Sequence, residues 1–304
     1  MITVNSLSGG KTSSYIAMNY KADFNVFSVV CIDDIRCKVK DDYVLKYAKN
    51  KLEKFTPEFG EFIATAEDDR TLKAMIDLEQ LMGKEITWVR GASFDRVIDE
   101  GTKTRLPSWA RRYCTTQMKL LPIFLWWFNN VSVKCRMNIG FRFDEYDRQE
   151  RFFNNSTPTE FKIPISCDTR GQRRQKFESF NWRYCHFPLV KDGIKKHHIE
   201  DYWSKHGRIV GNLFEEERFI DFPAVSNCIG CFHKSPETLA AMSEINREKF
   251  IWFIDQELKG KGRWLDEAIT YQHIMDNYKD IAKEVLFEIK HLNQSCDTGG
   301  CTDD

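Results

Sequence analysis

An alternation of strand-like and helix-like segments is the feature of this 304-residue chain that most restricts its fold. In the first half, strand-like apolar runs are followed by helical patterns such as those at residues 12–20 and 71–82; the runs lie at residues 2–7, 25–32, 62–65 and 133–140. Repeated βα units predict an α/β fold with a doubly wound, mostly parallel sheet. Ligands of such a sheet bind beyond the carboxyl ends of its strands.

The alternation stops after about residue 144, and this change predicts the domain organisation. We expect an α/β domain over residues 1–150, then a smaller, mainly helical part over residues 151–293, and a cysteine-containing tail over residues 294–304. In the second part, residues 161–166 read as a strand. Residues 199–206, 237–257 and 265–275 read as helices.

Composition excludes several classes of protein. The 42% of hydrophobic residues is enough for a buried core, and 45 Lys+Arg against 45 Asp+Glu argues against a partner held mainly by long-range attraction to a polyanion. Pro122 interrupts an apolar stretch too short to span a bilayer, and residues 1–7 read as a strand rather than a signal peptide. We therefore expect a cytoplasmic protein whose ten cysteines are thiols or metal ligands.

A glycine-containing loop lies where the first strand is predicted to end and the first helix to begin. Its sequence is Ser8-Gly9-Gly10-Lys11-Thr12-Ser13. Two glycines allow the backbone to approach a ligand, the helix N-terminus supplies N–H groups, and the lysine and hydroxyl side chains add donors. The loop is therefore a candidate phosphate site; the alternative is an ordinary Ser-Gly turn with Thr12 as the helix cap.

Charged side chains in two later segments, residues 109–119 and 140–148, suit the same ligand. The cations, which suit nucleotide phosphates or an anionic second substrate, are Arg111, Arg112, Lys119, Arg142 and Arg148. The carboxylates of Asp144 and Glu145 suit a Mg²⁺ ion bridging β- and γ-phosphates. Asp33, at the ligand edge, is a candidate for contact with ribose or metal. The alternatives are a solvated ion-pair surface and, for Asp33, a helix-capping turn.

Cys228 and Cys231 form a C-x-x-C, a spacing that lets two thiolates bind one metal or cluster. A redox pair is the alternative, although such pairs usually open a helix in a thioredoxin-like context. The tail adds Cys296 and Cys301, which either fold back onto the site as ligands or persulfide carriers, or belong to a disordered terminus.

A basic run followed by aromatic residues, residues 170–184, is a candidate nucleic-acid-binding segment. It contains Arg170, Arg173, Arg174, Lys176, Phe177, Phe180, Trp182 and Tyr184. The zero net charge favours the alternative, an exposed loop with a packed aromatic end.

Four ordered segments resemble one enzyme family. Residues 8–13 match the PP-loop, S-G-G-x-x-S, of ATP pyrophosphatases and their relatives, which include phosphoadenosine-phosphosulfate (PAPS) reductases. Residues 112–119 resemble the R-[WY]-C-T-x-x-x-K segment of the PAPS-reductase-like branch, residues 140–148 its G-x-R-x-[DE]-E-x-x-R, and residues 228–231 its C-x-x-C. Within the branch, the chain is similar to phage and bacterial proteins near the sulfur-handling ATP pyrophosphatase of DNA phosphorothioation.

The resemblance implies an adenine nucleotide alpha hydrolase-like fold and an enzyme that binds ATP with Mg²⁺. Such an enzyme adenylates an oxygen of a second substrate, releases pyrophosphate, and lets a nucleophile, here sulfur, displace AMP. The implied catalytic residues are Lys11, Lys119 and Arg142. The implied nucleotide contacts are Ser8, Gly9, Gly10, Thr12, Ser13, Asp33, Arg112, Asp144, Glu145 and Arg148.

The resemblance also implies a metal centre, a [4Fe–4S] cluster in preference to zinc. Cys114 would join Cys228 and Cys231 as its third ligand; the candidates for a fourth are Cys185, His233, Cys296 and Cys301, of which we take Cys301 forward. Possible partners are a nucleic-acid substrate or a sulfur-donor protein, with no membrane and an open oligomeric state. Two other functions stay in view: a PAPS reductase-like sulfonucleotide reductase, and a non-catalytic nucleotide-binding subunit of a nucleic-acid-modifying complex.

Overall fold

The computed structural model describes residues 1–99, 105–109, 111–154, 159–167, 175–209, 218–223, 225, 228–260, 262–265 and 269–292. Its central sheet has five parallel strands: β1 (Thr3–Leu7), β2 (Phe24–Ser28), β3 (Ile86–Val89), β4 (Cys135–Asn138) and β5 (Arg183–His186). Their spatial order is β3-β2-β1-β4-β5. The chain therefore adds strands on one side of β1 and then returns to its other side, the order of a doubly wound sheet whose switch point lies beside β1.

Helices cover both faces of the sheet. The helices of the first half are α1 (Lys11–Asn19), α2 (Asp42–Phe55), α3 (Asp69–Met82), α4 (Phe94–Asp99) and α5 (Leu121–Asn130). Residues of α1, α2 and α3 share a core with Leu7, Phe27 and Trp88. Residues of α5 share another core with Val4, Val26 and Val89. Alternate residues of one strand thus point into opposite cores, as the two-residue period of a strand requires.

The shorter elements connect these layers. Short helical turns occur at Ile35–Cys37, Pro57–Phe59 and Pro188–Lys191, and a turn at Tyr113–Thr115 continues through the π-helical Thr116–Leu120 into α5. Cys31–Ile32 pairs antiparallel with Ala64–Thr65, Glu160–Cys167 with Gln175–Asn181, and Arg208–Ile209 with Arg218–Phe219.

The remaining helices are α6 (Tyr146–Asn154), α7 (Lys196–His206), α8 (Pro236–Ile245), α9 (Arg247–Leu258), α10 (Tyr271–Asn277) and α11 (Lys279–Leu292). Helices α8, α9 and α10 pack around Trp264 in a third core, which also takes in Val30 and Phe94 from the first half of the chain. These three helices are therefore packed at the carboxyl-end side of β2.

The structure confirms the α/β fold with a parallel sheet and corrects several predicted elements. Residues 62–65 are not a strand of the central sheet, because Ala64–Thr65 pairs antiparallel with Cys31–Ile32; the third strand is β3, which the sequence analysis missed. The predicted helix over 237–257 is two helices that meet at Asn246, and the helix expected from 265 begins at Tyr271. A short apolar run indicates burial, but it does not identify its strand partner.

A row of polar side chains crosses the sheet and fixes its register. Asn5 Nδ2 donates to Asn25 Oδ1 at 2.9 Å, Asn138 Nδ2 donates to Asn5 Oδ1 at 2.8 Å, and His186 Nδ1 lies 2.7 Å from Asn138 Oδ1. These four residues are register partners on four neighbouring strands. A slip of one residue would leave buried amides without partners, so the row opposes it.

Candidate functional site

The loop between β1 and α1 is closed by the side chain of Ser13. Ser13 Oγ accepts a hydrogen bond from the Ser8 N–H at 3.1 Å, donates to Gly10 O at 3.1 Å, and lies 3.3 Å from Ser8 Oγ. Gly10, and not Thr12, is the N-cap of α1; no side chain caps this helix, and its first turn has no acidic residue. The positive end of α1 is thus available to an anion at the carboxyl edge of the sheet.

Gly9 is the loop position at which a residue with a side chain does not fit. Its φ of +81° lies in the left-handed region, and a Cβ at this position would lie 2.2 Å from Thr71 Cγ2. The absence of a side chain therefore lets the loop backbone lie against the first turn of α3. The two glycines of the sequence motif thus have different roles, since Gly9 satisfies both backbone conformation and packing, whereas Gly10 begins the helix.

Helix α7 packs against α1 beside the loop. Trp203 Nε1 donates to Lys11 O at 2.9 Å, and the rings of Tyr15 and Tyr202 meet edge-on with centroids 4.9 Å apart. Burial lowers the pKa of the half-buried Lys11 ammonium; Glu200, also on α7, opposes this effect and Lys196 adds to it.

Lys196, in the first turn of a helix that the sequence pattern predicts to begin at residue 199, thus adds a second positive charge that acts on Lys11.

The segment 140–148 follows β4 and lies against the same loop. A Cβ at Gly140 would lie 3.5 Å from Thr12 Cγ2 and 3.8 Å from the Ser13 amide nitrogen. This contact puts Arg142 and its neighbours at the switch point of the sheet, where a doubly wound fold binds its ligand.

The two carboxylates of this segment, Asp144 and Glu145, form ion pairs with neighbouring arginines. The Asp144 carboxylate has Arg142 Nε 3.1 Å from Oδ1 and accepts from the Lys196 N–H at 3.2 Å through Oδ2. The Glu145 carboxylate accepts from the Arg142 N–H at 2.7 Å through Oε2 and has Arg148 Nη1 2.8 Å from Oε1. All four carboxylate oxygens thus accept hydrogen bonds. A Mg²⁺ ion here would have to compete with two guanidinium groups, so these carboxylates orient arginines more readily than they bind a metal.

Asp33 has its partners in the turn that begins α4. Its carboxylate accepts from Ser93 Oγ at 2.5 Å and lies 3.7 Å from Arg96 Nε, and its N–H donates to Asp95 Oδ2 at 2.7 Å. These contacts are tertiary, since Ser93 lies 60 positions from Asp33 in the chain. The helix-capping role at the turn Ile35–Cys37 belongs to the neighbouring Asp34, whose carboxylate accepts a hydrogen bond from the Arg36 N–H at 2.9 Å.

Three cysteines from distant parts of the sequence line one cavity. Cys114, Cys228 and Cys231 surround a space of about 20 Å³ with Lys119 at its wall. Other walls come from Val30, just beyond β2, and from the aromatic rings of Phe94, Phe232, Phe253 and Trp264. The cavity therefore lies at the carboxyl edge of the sheet, over the strand next to β1.

The polar groups of this cavity are strongly buried. Burial raises the pKa of Cys114 to about 11 and also raises that of Cys228, and the nearby Lys119 ammonium acts in the opposite direction on both. Lys119 belongs to the π-helical turn and lies 3.3 Å from a carboxylate oxygen of Glu67, a residue 1% exposed. The sequence motif predicts a phosphate contact for Lys119 and gives no signal for Glu67. The backbone of Glu67 pairs with that of Cys228 in an isolated antiparallel β-bridge.

The donor chemistry of the cavity fits a soft metal, since three thiols converge on it. The cavity accommodates about one water-sized body, so a single metal ion fits. An iron–sulfur cluster fits only if the aromatic walls move outward. Among the described residues no group of three or more His, Cys, Asp or Glu side chains has the arrangement of a metal site. Cys185 packs in the core that holds Cys135, and Cys296 and Cys301 lie outside the described residues.

His233 and Arg112 lie near the cysteines. His233 is 5% exposed, and both of its ring nitrogens are buried with no hydrogen-bond partner among the described residues. Burial lowers the pKa of His233 to about 4, with further lowering by Arg112, Arg151 and Lys234. The ring is therefore neutral at neutral pH.

Part of the basic and aromatic segment at 170–184, namely residues 170–174, lies outside the described residues. Of its aromatic residues, Trp182 is buried and Phe180 packs near Phe124, whereas Phe177 and Tyr184 are exposed. The aromatic end is thus partly core, as in the packed-loop alternative.

Comparisons of the chain with protein-family models, with curated proteins and with solved structures found no match. The fold and the site define an α/β protein with a five-stranded parallel sheet, whose central β1–α1 loop and cysteine cavity share one edge. In the part of the chain that the structure describes, no helix has the length and apolar character needed to cross a membrane.

Proposed function

We propose that this protein is a PP-loop enzyme that binds ATP at residues 8–13, adenylates an oxygen of a second substrate, releases pyrophosphate and serves sulfur transfer. The observation that carries the proposal is the loop itself, which lies at the switch point of a parallel sheet. The N-cap of α1 has no side-chain hydrogen bond, and Gly9 before it is required by its positive φ and by its close packing against Thr71. Phosphate groups are the ligands best suited to such a loop.

In this proposal the loop binds the leaving pyrophosphate. The N–H groups at Gly9 and Gly10 and the first turn of α1 donate to phosphate oxygens, while Ser13 holds the loop closed through Ser8. The Lys11 ammonium neutralises charge that develops on the phosphates as the α–β bond breaks. Its partial burial strengthens that interaction, because less water screens the charge.

Arg142 and Lys196 provide cationic charge at the other side of the loop. Arg142 is oriented by Asp144 and Glu145, and Lys196 is fixed through its backbone N–H to the same Asp144. We assign Arg142 to the transferred α-phosphate and Lys196 to the polyphosphate. Mg²⁺ enters bound to the nucleotide, as part of the MgATP substrate.

The three cysteines form the sulfur-handling half of the proposed site. We assign Cys114, Cys228 and Cys231 to a thiolate-bound metal centre. The sequence resemblance implies an iron–sulfur cluster, whose binding requires the aromatic walls to move outward, and a single zinc ion, which the cavity volume accommodates, is the alternative. Such a centre would supply a place to bind sulfide. Lys119, paired with Glu67 at the cavity wall, stabilises thiolate charge there rather than phosphate charge.

Product analysis tests the reaction. Purified protein incubated with MgATP, with water as a slow acceptor, is expected to yield AMP and pyrophosphate, and Lys11→Ala to abolish the reaction. ADP and phosphate would exclude the PP-loop mechanism. Tight binding of PAPS without ATP binding, with sulfite released by a dithiol, would establish the sulfonucleotide reductase instead.

A matched pair of lysine variants tests the assignment of α7. Lys196→Ala is expected to weaken ATP binding by about tenfold, the effect of losing one charge-assisted contact. Lys195→Ala is the control, because this neighbouring lysine is exposed and its ammonium lies 5.8 Å from the Phe143 ring centroid. Equal Kd values for the two variants in calorimetry would remove Lys196 from the site.

A further inference from the structure

Within the part of the chain that the structure describes, the buried imidazole of His233 has no hydrogen-bond partner, although charged side chains act on it. Neither ring nitrogen has a partner, and the side chain is almost completely enclosed at 5% exposure. A neutral imidazole carries one N–H donor and one acceptor, and leaving both unpaired in the interior costs folding free energy. Buried polar groups without partners are uncommon in folded proteins, and each needs an explanation, of which a bound water or ion is one.

A second unpartnered group lies next to the residue that covers His233. Ser108 is fully buried, and the residues that the structure describes include no hydrogen-bond partner for its Oγ. The next residue, Trp109, is 49% exposed and meets the His233 ring at 75° with ring centroids 4.1 Å apart. The Trp109 ring thus covers one side of the imidazole, and the Phe232 ring packs against it with centroids 4.6 Å apart. Rotation of the half-exposed Trp109 side chain would uncover the imidazole on that side.

The charged groups around the imidazole are cations. They come from three segments: Arg112 directly precedes the helical turn Tyr113–Thr115, Arg151 lies on α6, and Lys234 follows His233 in the chain. Lys234 Nζ donates to Cys228 O at 2.6 Å, and this hydrogen bond fixes the Lys234 ammonium beside the backbone of Cys228. Positive charge around an unpaired N–H donor attracts an oxyanion.

We propose that His233, beneath Trp109, is the centre of a second anion site, which binds a phosphate group through an imidazole N–H with Arg112, Arg151 and Lys234 supplying charge. The site is separate from the β1–α1 loop, since its residues are Trp109, Arg112, His233 and Lys234, with Arg151 from α6. It does not require the proposed ATP chemistry. The group bound is either a free phosphate or the phosphodiester of a larger molecule.

Histidine-selective ¹⁵N labelling resolves this site from the nucleotide loop. The chain has seven histidines, and the signals of His233 are identified by their loss in His233→Gln. The full-length protein is titrated with inorganic phosphate and with the dinucleotide TpT, each separately. Chloride at equal ionic strength is the control, and a further titration with Zn²⁺ tests for metal binding. We expect the imidazole nitrogens of His233 to shift with a saturable midpoint. Response to inorganic phosphate alone identifies a free phosphate, and response to TpT identifies a phosphodiester.

Charge variants keep the test independent of the His233 substitution. Arg151→Gln, at an exposed position, is expected to raise the phosphate midpoint by about threefold to tenfold. Arg136→Gln removes the same charge at an exposed position on β4 and is expected to leave the midpoint unchanged. The proposal is overturned if neither probe shifts the His233 signals, if chloride shifts them equally, if the two arginine variants behave alike, or if only Zn²⁺ shifts them, which would make His233 a metal ligand.

Discussion

Substitution of Gly9 by alanine tests the packing of the β1–α1 loop directly. An alanine there must adopt φ of +81°, and its Cβ would lie 2.2 Å from Thr71 Cγ2, whereas carbon atoms in contact normally lie about 3.5–4 Å apart. The conformational part costs about 1–2 kcal/mol, and overpacking of this kind adds about 1–3 kcal/mol. We therefore expect Gly9→Ala to lose roughly 2–5 kcal/mol of unfolding free energy.

Gly83 offers a matched control on the helix that Gly9 contacts. It ends α3 with φ of +60°, and a Cβ built there meets nothing within 4 Å. Gly83→Ala thus has the conformational cost without the clash, about 1–2 kcal/mol. The difference between the two alanine variants measures the contact with Thr71.

Urea unfolding and ATP binding together decide the outcome. Thr71→Ser removes Cγ2, so in the Gly9→Ala background it is expected to recover about 1–3 kcal/mol as a coupling free energy in a double-mutant cycle. Gly9→Ala should also weaken ATP binding, and Gly83→Ala should not. If Gly9→Ala is no more destabilising than Gly83→Ala, or if Thr71→Ser recovers nothing, the close packing of loop on helix is not what requires glycine.

Three further perturbations test other contacts. Trp203→Phe removes the donor to Lys11 O and should cost about 1 kcal/mol more than Trp182→Phe, whose Nε1 is buried without a partner; equal losses in urea unfolding would contradict this. Because the folded-state pKa of Lys11 lies below the usual 10.5, ATP affinity should fall as pH rises through that pKa, and Lys11→Arg should flatten the profile; a sloping profile in the variant would exclude this lysine as the titrating group. Cys114→Ala should abolish bound metal after anaerobic purification, measured by absorption spectrum and elemental analysis, and Cys185→Ala should retain it, so metal loss in both would refute the assignment.

The sequence pattern was sufficient for the local part of the candidate site. The end of β1, the glycines and the start of α1 follow from neighbouring residues, because turn conformation and helix initiation depend on a few adjacent side chains. The prediction placed the helix start at Thr12, one residue after the observed start at Lys11, since glycine caps the helix through its backbone alone.

The strand at Ile86–Val89 shows where pattern reading fails. Residues 62–65 and 86–89 are both short apolar runs, and only one of them joins the central sheet. The choice depends on which run can bury both faces between the helices, and that is a property of the whole packed structure. The sequence analysis therefore predicted a parallel sheet correctly but assigned one strand to the wrong segment.

The sequence by itself determined the α/β class, the β1–α1 loop and the identity of the reactive side chains, because these depend on periodicity and on chemistry that each residue carries alone. Tertiary structure alone decided their partners: Lys119 pairs with Glu67 beside three thiols, Lys196 approaches Lys11 on a separate helix, and His233 is enclosed under Trp109. These pairs are separated by 52 to 185 positions in the chain. Contacts over such distances arise only when many apolar side chains are buried together, so no local pattern in the chain encodes them.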